Sequence, residues 1–361
     1  MSEPSEIVRY TRADRPQVFV FLAAAASAAD SARLMRQWDW KYDANPFNRD
    51  SEPYVLLWRD AGEIVGMLGA LTVRVCIDGA EHVVGHLCDW AVRPDHRGQR
   101  MARRMLDRQR PDWPVRFAWQ NEISRKLSPG MIGDSSGILR VEPVARPLKV
   151  GDVVQHTTGS RLLGHVAAML TQGPLAGLLT RRATVPGVNV AEINGFDDRF
   201  DDFWQRVRRD YRVILVRDQR YLQWRFAQRP DAHYRILVAT RGTAVVGYLV
   251  LREVEQEGVR RGYLVDFLVA ERSTEIFSLL VRHALTSLEQ GGAKWLTCRV
   301  VVPPFRRALH RLGFVPVVQS AGGYLRTYRP EGGSPDHASG LFVDPANWFV
   351  TMGDGDLELS S

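Results

Sequence analysis

Apolar residues gather in three short blocks between positions 54 and 92: Tyr54 to Arg59, Ile64 to Ile77 and His82 to Val92. Turn residues Asp60-Ala61-Gly62 and Asp78-Gly79 separate them, so each block reads as a strand. The same order returns further along the chain. Val55 to Leu57 is answered by Ile236 to Val238, Ile64-Val65-Gly66-Met67-Leu68 by Val245-Val246-Gly247-Tyr248-Leu249, and Gly85 through Val92 by Gly262 through Val269. Ahead of each series stands an aromatic-basic-aromatic step followed by proline: Trp40-Lys41-Tyr42 with Pro46, and Trp224-Arg225-Phe226 with Pro230. The chain is predicted to be a tandem duplication.

Around these blocks the pattern predicts a strand near Ile7 to Thr11, a helix from Arg15 with Pro16 in its first turn, and a second helix through Leu34-Met35. A helix covers Met101 to Gln109, Asp112-Trp113-Pro114 ends it, and Val115 to Trp119 is a short strand. The second copy begins at about Glu192. Its first helix opens with Asp197, Asp198, Asp201 and Asp202, and acid in a first turn is what the helix dipole favours, so no metal site is read there. Then come a helix at Ile276 to Glu289, a strand at Trp295 to Val301, a helix at Phe305 to Leu312 and a last strand at Asn347 to Met352. The expected domains are 1–148, a helical connector or lid at 149–190, a second domain at 191–330 and a tail at 331–361. Trp40 and Trp224 are read as packing the helices against the sheet.

With 361 residues, 45% hydrophobic and 25% charged, the composition is that of an ordinary globular chain of two or three domains. The net charge of +7 is carried by arginine, since Lys41, Lys126, Lys149 and Lys294 are the only lysines. Arginine suits planar, bidentate contacts to phosphate or carboxylate, although GC-rich coding produces the same bias. No run of like charge marks a nucleic-acid arm, and no DNA partner is expected. Cys76, Cys88 and Cys298 are too few and too scattered for a disulfide framework or a zinc site, which fits a reducing cytoplasm. Arg9, Arg12 and Arg15 before Val18 to Ala29 imitate a targeting signal, but the Asp14-Arg15-Pro16 helix start favours an amphipathic helix. Leu162 to Leu179 is interrupted by His165, Gln172 and Gly173-Pro174, so no membrane span is expected.

The copies part company after Val92. Only the first continues into Arg93-Pro94-Asp95-His96-Arg97-Gly98-Gln99-Arg100-Met101-Ala102, a basic turn from strand to helix. Backbone N–H groups at such a helix start are unpaired, which makes the turn an anion site. Arg97, Arg100, Arg103 and Arg104 add charge suited to a pyrophosphate.

This strand, turn and Arg-Arg-Met-Leu helix resemble the acyl-CoA pyrophosphate loop of the GCN5-related N-acetyltransferases (GNAT). The family pattern is Arg/Gln-x-x-Gly-x-Gly/Ala. Arg97 and Ala102 match it, while Arg100 replaces the middle glycine. Asn121-Glu122-x-Ser124 resembles the family's fourth-helix motif, and Leu312-Gly313-Phe314 its closing Leu-Gly-Phe.

The resemblance implies an α/β (α+β) architecture of two tandem GNAT-like domains, each a mixed, mainly antiparallel sheet flanked by helices. It also implies an acyl-CoA-dependent N-acyltransferase, with acetyl-CoA or another acyl-CoA as co-substrate. The acceptor is then an amine of a small molecule or amino sugar, and the protein a cytoplasmic monomer or homodimer. CoA contacts are expected from Ala91, Val92, Arg97, Gly98, Gln99, Arg100, Met101, Ala102, Asn121 and Ser124, with helix capping an equal reading for the last pair. Asp89, then His86, are the candidate catalytic groups. Asp266 matches Asp89 in a copy without the loop, so a structural aspartate is the competing reading. Cys88 reads as a small buried hydrophobe rather than a nucleophile, and Asp354 and Asp356 either hold a cationic amine or form an ordinary acidic terminus. Two alternatives stay open: a tRNA-dependent aminoacyl transferase of the peptidoglycan-bridge type, and a non-catalytic acyl-CoA-binding scaffold.

Overall fold

The computed structural model describes residues 5–98, 101–113, 115–120, 135–149, 151, 184–317, 323–328, 341–342 and 344–355. Two compact units emerge. One holds the chain up to Arg140 with Gln228–Asp231 and Gly323–Asn347; the other holds Val141–Ala227, Ala232–Gly322 and the chain from Trp348.

The strands are β1 (Glu6–Arg9), β2 (Tyr54–Asp60), β3 (Glu63–Ile77), β4 (Ala80–Val92), β5 (Arg116–Gln120), β6 (Ser135–Val141) and β7 (Pro143–Pro147), followed by β8 (Val188–Ile193) and β9 (Val213–Leu215). Then come β10 (Tyr234–Arg241), β11 (Ala244–Gln256), β12 (Val259–Val269), β13 (Trp295–Arg299), β14 (Val315–Pro316), β15 (Gly323–Tyr328) and β16 (Trp348–Phe349). The sheet of the first unit runs β1-β2-β3-β4-β5-β15-β6, and that of the second β14-β7-β13-β12-β11-β10-β8. The described pairs are antiparallel except β4 with β5, β12 with β13 and β9 with β16, which are parallel. Both sheets are therefore mixed and mainly antiparallel, as the resemblance implies.

Sequence position and unit membership differ at β7 and β15. β7, inside the expected first domain 1–148, belongs to the second unit, and β15, inside the expected second domain 191–330, belongs to the first. Only Glu142 separates β6 from β7, which is shorter than the two-residue loop of a tight hairpin, so the two strands do not fold back on each other as neighbours. β7 instead lies between β13 and β14, and β15 pairs antiparallel with β5.

Alternation along β2 builds both faces of the first unit. Tyr54, Leu56 and Trp58 pack with Met101, Met105 and Trp113 on one side; Val55 and Leu57 pack with Val18, Phe21, Trp38 and Tyr42 on the other. Burial on both faces explains why Tyr54-Val55-Leu56-Leu57-Trp58 is unbroken by polar residues. The helix Arg15–Ala25 carries Pro16 in its first turn, and Ala28–Trp38 is capped by Ser27, whose Oγ accepts from the Asp30 N–H at 3.1 Å.

The aromatic-basic-aromatic steps are π-helical turns in both copies, Asp39–Asp43 and Gln223–Ala227. Trp40 and Trp224 are buried, as packing residues should be. The connector expected at 149–190 lies mostly outside the described residues.

Candidate active site

β4 is the strand on which the site is built. Its parallel pairing with β5 runs from Gly85 opposite Arg116 to Leu87 opposite Ala118. Beyond that point β4 pairs, among the described residues, with β3 alone, and the β3–β4 register jumps from Gly69 opposite Cys88 to Met67 opposite Ala91. Asp89 and Trp90 thus face the single residue Leu68 in a β-bulge, and Asp89 takes a left-handed conformation at φ 48°. Aspartate is among the few side chains that tolerate it.

The bulge re-aims the Asp89 side chain. Its Oδ2 accepts a hydrogen bond from the Tyr42 hydroxyl at 2.6 Å and lies 2.8 Å from the Lys41 ammonium. The Lys41 side chain is 3% exposed and that of Asp89 18%, so the cation is inside and the carboxylate reaches the surface. Tyr42 also sits 3.5 Å from the Cys88 sulfur. Burial, and next the Asp89 charge, push the Tyr42 hydroxyl well above the usual phenol range, so it stays a neutral donor. Gly69 makes room: a Cβ there would run into the Tyr42 hydroxyl. Lys41 and Tyr42 are not among the site residues expected from the sequence, although the repeated step Trp40-Lys41-Tyr42 marks them.

His86 lies deeper, where β4 and β5 are paired, buried and stacked on Phe117 at 4.7 Å and 15°. Ala91 and Val92 are half-buried in β4 opposite Met67 and Gly66. After Val92 the chain is braced by ion pairs from Arg93 to Glu63 at 2.6 Å and to Asp95 at 2.8 Å. Hydrogen bonds from His96 and Arg93 hold the Asp95 carboxyl down at about 2.

Arg97 is exposed, Gly98 adopts φ 86°, and the helix Met101–Gln109 follows with Met101 buried against Gly66. Of the basic residues expected around the loop, Arg103 pairs with Asp107 at 3.0 Å and Arg104 stacks on Trp58 at 4.4 Å, so both have intrachain partners. Gln99, Arg100, Asn121 and Ser124 lie outside the described residues, and Ala102 is described by its backbone alone.

The second copy shows what became of the matching cleft. Asp266 stays in the β11–β12 ladder opposite Val250, the extra residue being Val265 instead. It is 1% exposed and tied to Arg217 Nη2 at 3.0 Å, the Tyr248 hydroxyl at 2.6 Å and the Thr351 hydroxyl at 2.6 Å. Arg217 Nη2 also meets Asp354 at 2.7 Å. Where β12 and β13 cease pairing after Leu264 and Cys298, Thr351 forms a bridge to Val300, and a Cβ on Gly353 would stand 3.0 Å from that of Asp266. The chain's own segment Trp348–Gly355 fills the gap. Asp354 is consequently a buried ion-pair member and not an amine-binding residue, while Asp356 lies outside the described residues. The helix Thr274–Gln290 is closed at its start by Ser273, which accepts from the Ile276 N–H at 3.2 Å and donates to Glu275 at 3.0 Å.

Residues 6–116 match the family model described as an acetyltransferase (GNAT) domain. That stretch of the chain thus carries the GNAT match, and the two units, each built on a mixed, mainly antiparallel sheet flanked by helices, have a GNAT-like fold. No curated protein matches it in sequence. Among solved structures it is similar to a GCN5-related N-acetyltransferase from Kribbella flavida (15% identity, TM-score 0.56, 90% of this chain and 71% of that one). It is also similar to one from Anabaena variabilis (10%, TM-score 0.58, 90% and 72%). The Saccharomyces cerevisiae N-myristoyltransferase, solved with bound myristoyl-CoA and inhibitors, matches at 12% identity and TM-score 0.56 over 91% of this chain and 82% of that one. At these identities the likeness is one of fold.

Proposed function

We propose that the protein transfers an acyl group, acetyl in the simplest case, from CoA to a primary amine of a small molecule or sugar, and that the first unit does so. One observation carries the reading: a surface-reaching carboxylate, Asp89, stands at a bulge where β4 leaves β5, on the strand that leads into Arg97-Gly98 and the helix Met101–Gln109. The family match over residues 6–116 and the myristoyl-CoA bound by the yeast neighbour support a CoA thioester as donor.

In the transfer the amine nitrogen attacks the thioester carbonyl carbon. The C–N bond forms and the C–S bond breaks; CoA leaves as thiolate and takes one ammonium proton, while water takes the other. Deprotonating an alkyl ammonium of pKa near 10 at pH 7 costs about 4 kcal/mol. Asp89 Oδ2 is taken up by the Lys41 ammonium and the Tyr42 hydroxyl, which leaves Oδ1 to accept a hydrogen bond from the acceptor's ammonium. In this reading the carboxylate docks the ammonium and orients the nitrogen toward the thioester. His86, stacked inside the sheet, plays no part in it.

The test is thiol release from acetyl-CoA with a panel of primary amines, beside calorimetric titration with CoA. One CoA per chain and amine-dependent thiol release are expected. CoA binding without turnover by any amine points to a scaffold, and no CoA binding overturns the reading.

A further inference from the structure

We propose that Lys41 and Tyr42 are positioning residues for the acceptor amine: delivered together by a π-helical turn onto one oxygen of Asp89, they orient the carboxylate so that its other oxygen receives the ammonium. The inference rests on the N-acyltransferase reading above and adds to it what aims the carboxylate. In an α-helix consecutive side chains diverge by about 100°, so neighbours do not ordinarily serve one atom. The wider turn Asp39–Asp43 brings Lys41 Nζ to 2.8 Å and Tyr42 Oη to 2.6 Å of the same Oδ2. Insertions of this type concentrate at functional sites. Among the described residues neither contact uses Oδ1, and the Asp89 side chain keeps 18% exposure.

The duplication supplies an internal control. The turn Gln223–Ala227 has the same π-helical form, yet it carries Arg225 and Phe226 in place of Lys41 and Tyr42. Arg225 donates to the backbone carbonyls of Gly353 at 3.1 Å and Gly355 at 2.9 Å, and Phe226 has no hydroxyl to offer Asp266. The fold therefore builds the turn without a lysine or a tyrosine. Where the cleft is filled by the chain, these residues hold the filling segment; where Asp89 reaches the surface, they hold the carboxylate. Gly69 fits the same design, since a side chain there would displace the Tyr42 hydroxyl.

The experiment uses the full chain, acetyl-CoA, and the best amine from the panel. Tyr42→Phe copies the second copy's residue and keeps the turn; Lys41→Met removes the buried cation, and Lys41→Arg restores one. Tyr42→Phe and Lys41→Met are each expected to raise the KM for the amine at least tenfold with CoA affinity within twofold of wild type. Lys41→Arg should recover most of the loss. Folded Tyr42→Phe with an unchanged amine KM overturns the inference, as does a fall in CoA affinity that parallels the fall in turnover. Wild type that releases no thiol with any amine overturns the acyltransferase reading and this inference with it, whereas wild-type turnover with indifferent variants removes the inference alone.

Discussion

Replacing Arg217 by methionine should unfold the second unit far more readily than any surface change, and the reason lies in three charges with almost no water around them. Arg217, Asp266 and Asp354 have side chains 0%, 1% and 2% exposed, and one guanidinium nitrogen meets both carboxylates, at 3.0 and 2.7 Å. Methionine fills much of the volume but leaves two buried carboxylates facing each other. Breaking a buried pair by removing one partner costs about 3–5 kcal/mol. In a unit of this size each kcal/mol moves the melting temperature by roughly 2–4 °C, so the unit should melt about 6–20 °C lower.

The loss should depend on pH with a definite sign. Burial pushes the Asp354 carboxyl above the ordinary range, and Arg217 draws it back. A carboxyl raised in the folded state binds more protons folded than unfolded, so stability falls as pH climbs from the unfolded value through the folded one. Without Arg217 that window widens upward, and the deficit at pH 8 should exceed that at pH 5. Scanning calorimetry at both values measures it, and Arg217→Met with Asp354→Asn should recover part of the loss. Melting within about 2 °C of wild type at both pH values would refute the picture of a charge cluster sealed by the segment Trp348–Gly355.

Asp89→Asn should abolish most transfer and also lower the melting temperature by several degrees, because buried Lys41 loses its counter-ion; adding Lys41→Met should restore melting but not transfer, as calorimetry and thiol release can show. Gly98→Val should weaken CoA at least tenfold in titration and lower melting by about 2–8 °C, since φ 86° costs a branched side chain about 1–2 kcal/mol although a Cβ there would meet nothing within 4 Å. Of the three cysteines, half-buried Cys88 should alkylate first in mass-spectrometric mapping; Cys76 is buried, and burial drives the Cys298 thiol far above its usual range.

Local signals were enough for most elements. Pro16, the Asp60-Ala61-Gly62 and Asp78-Gly79 turns and the apolar blocks between them predicted the helices and strands of the first copy closely, because caps, turns and periodicity act over a few residues. The repeat and the loop at Arg97-Gly98 were legible for the same reason, and with them the GNAT resemblance. The sheet partners of β7 and β15 were not: pairing is decided by backbone hydrogen bonds between distant segments, and nothing in Pro143–Pro147 or Gly323–Tyr328 names the strand beside it. Nor could the sequence separate Asp89 from Asp266, which occupy the same place in matching strings. A one-residue difference in where the extra residue sits turns one carboxylate out at a bulge beside Lys41 and Tyr42. The other stays in the ladder, sealed with Arg217 beneath the chain's own end. Bulges follow from packing on both faces of a strand, so only the tertiary structure decided which aspartate is reachable.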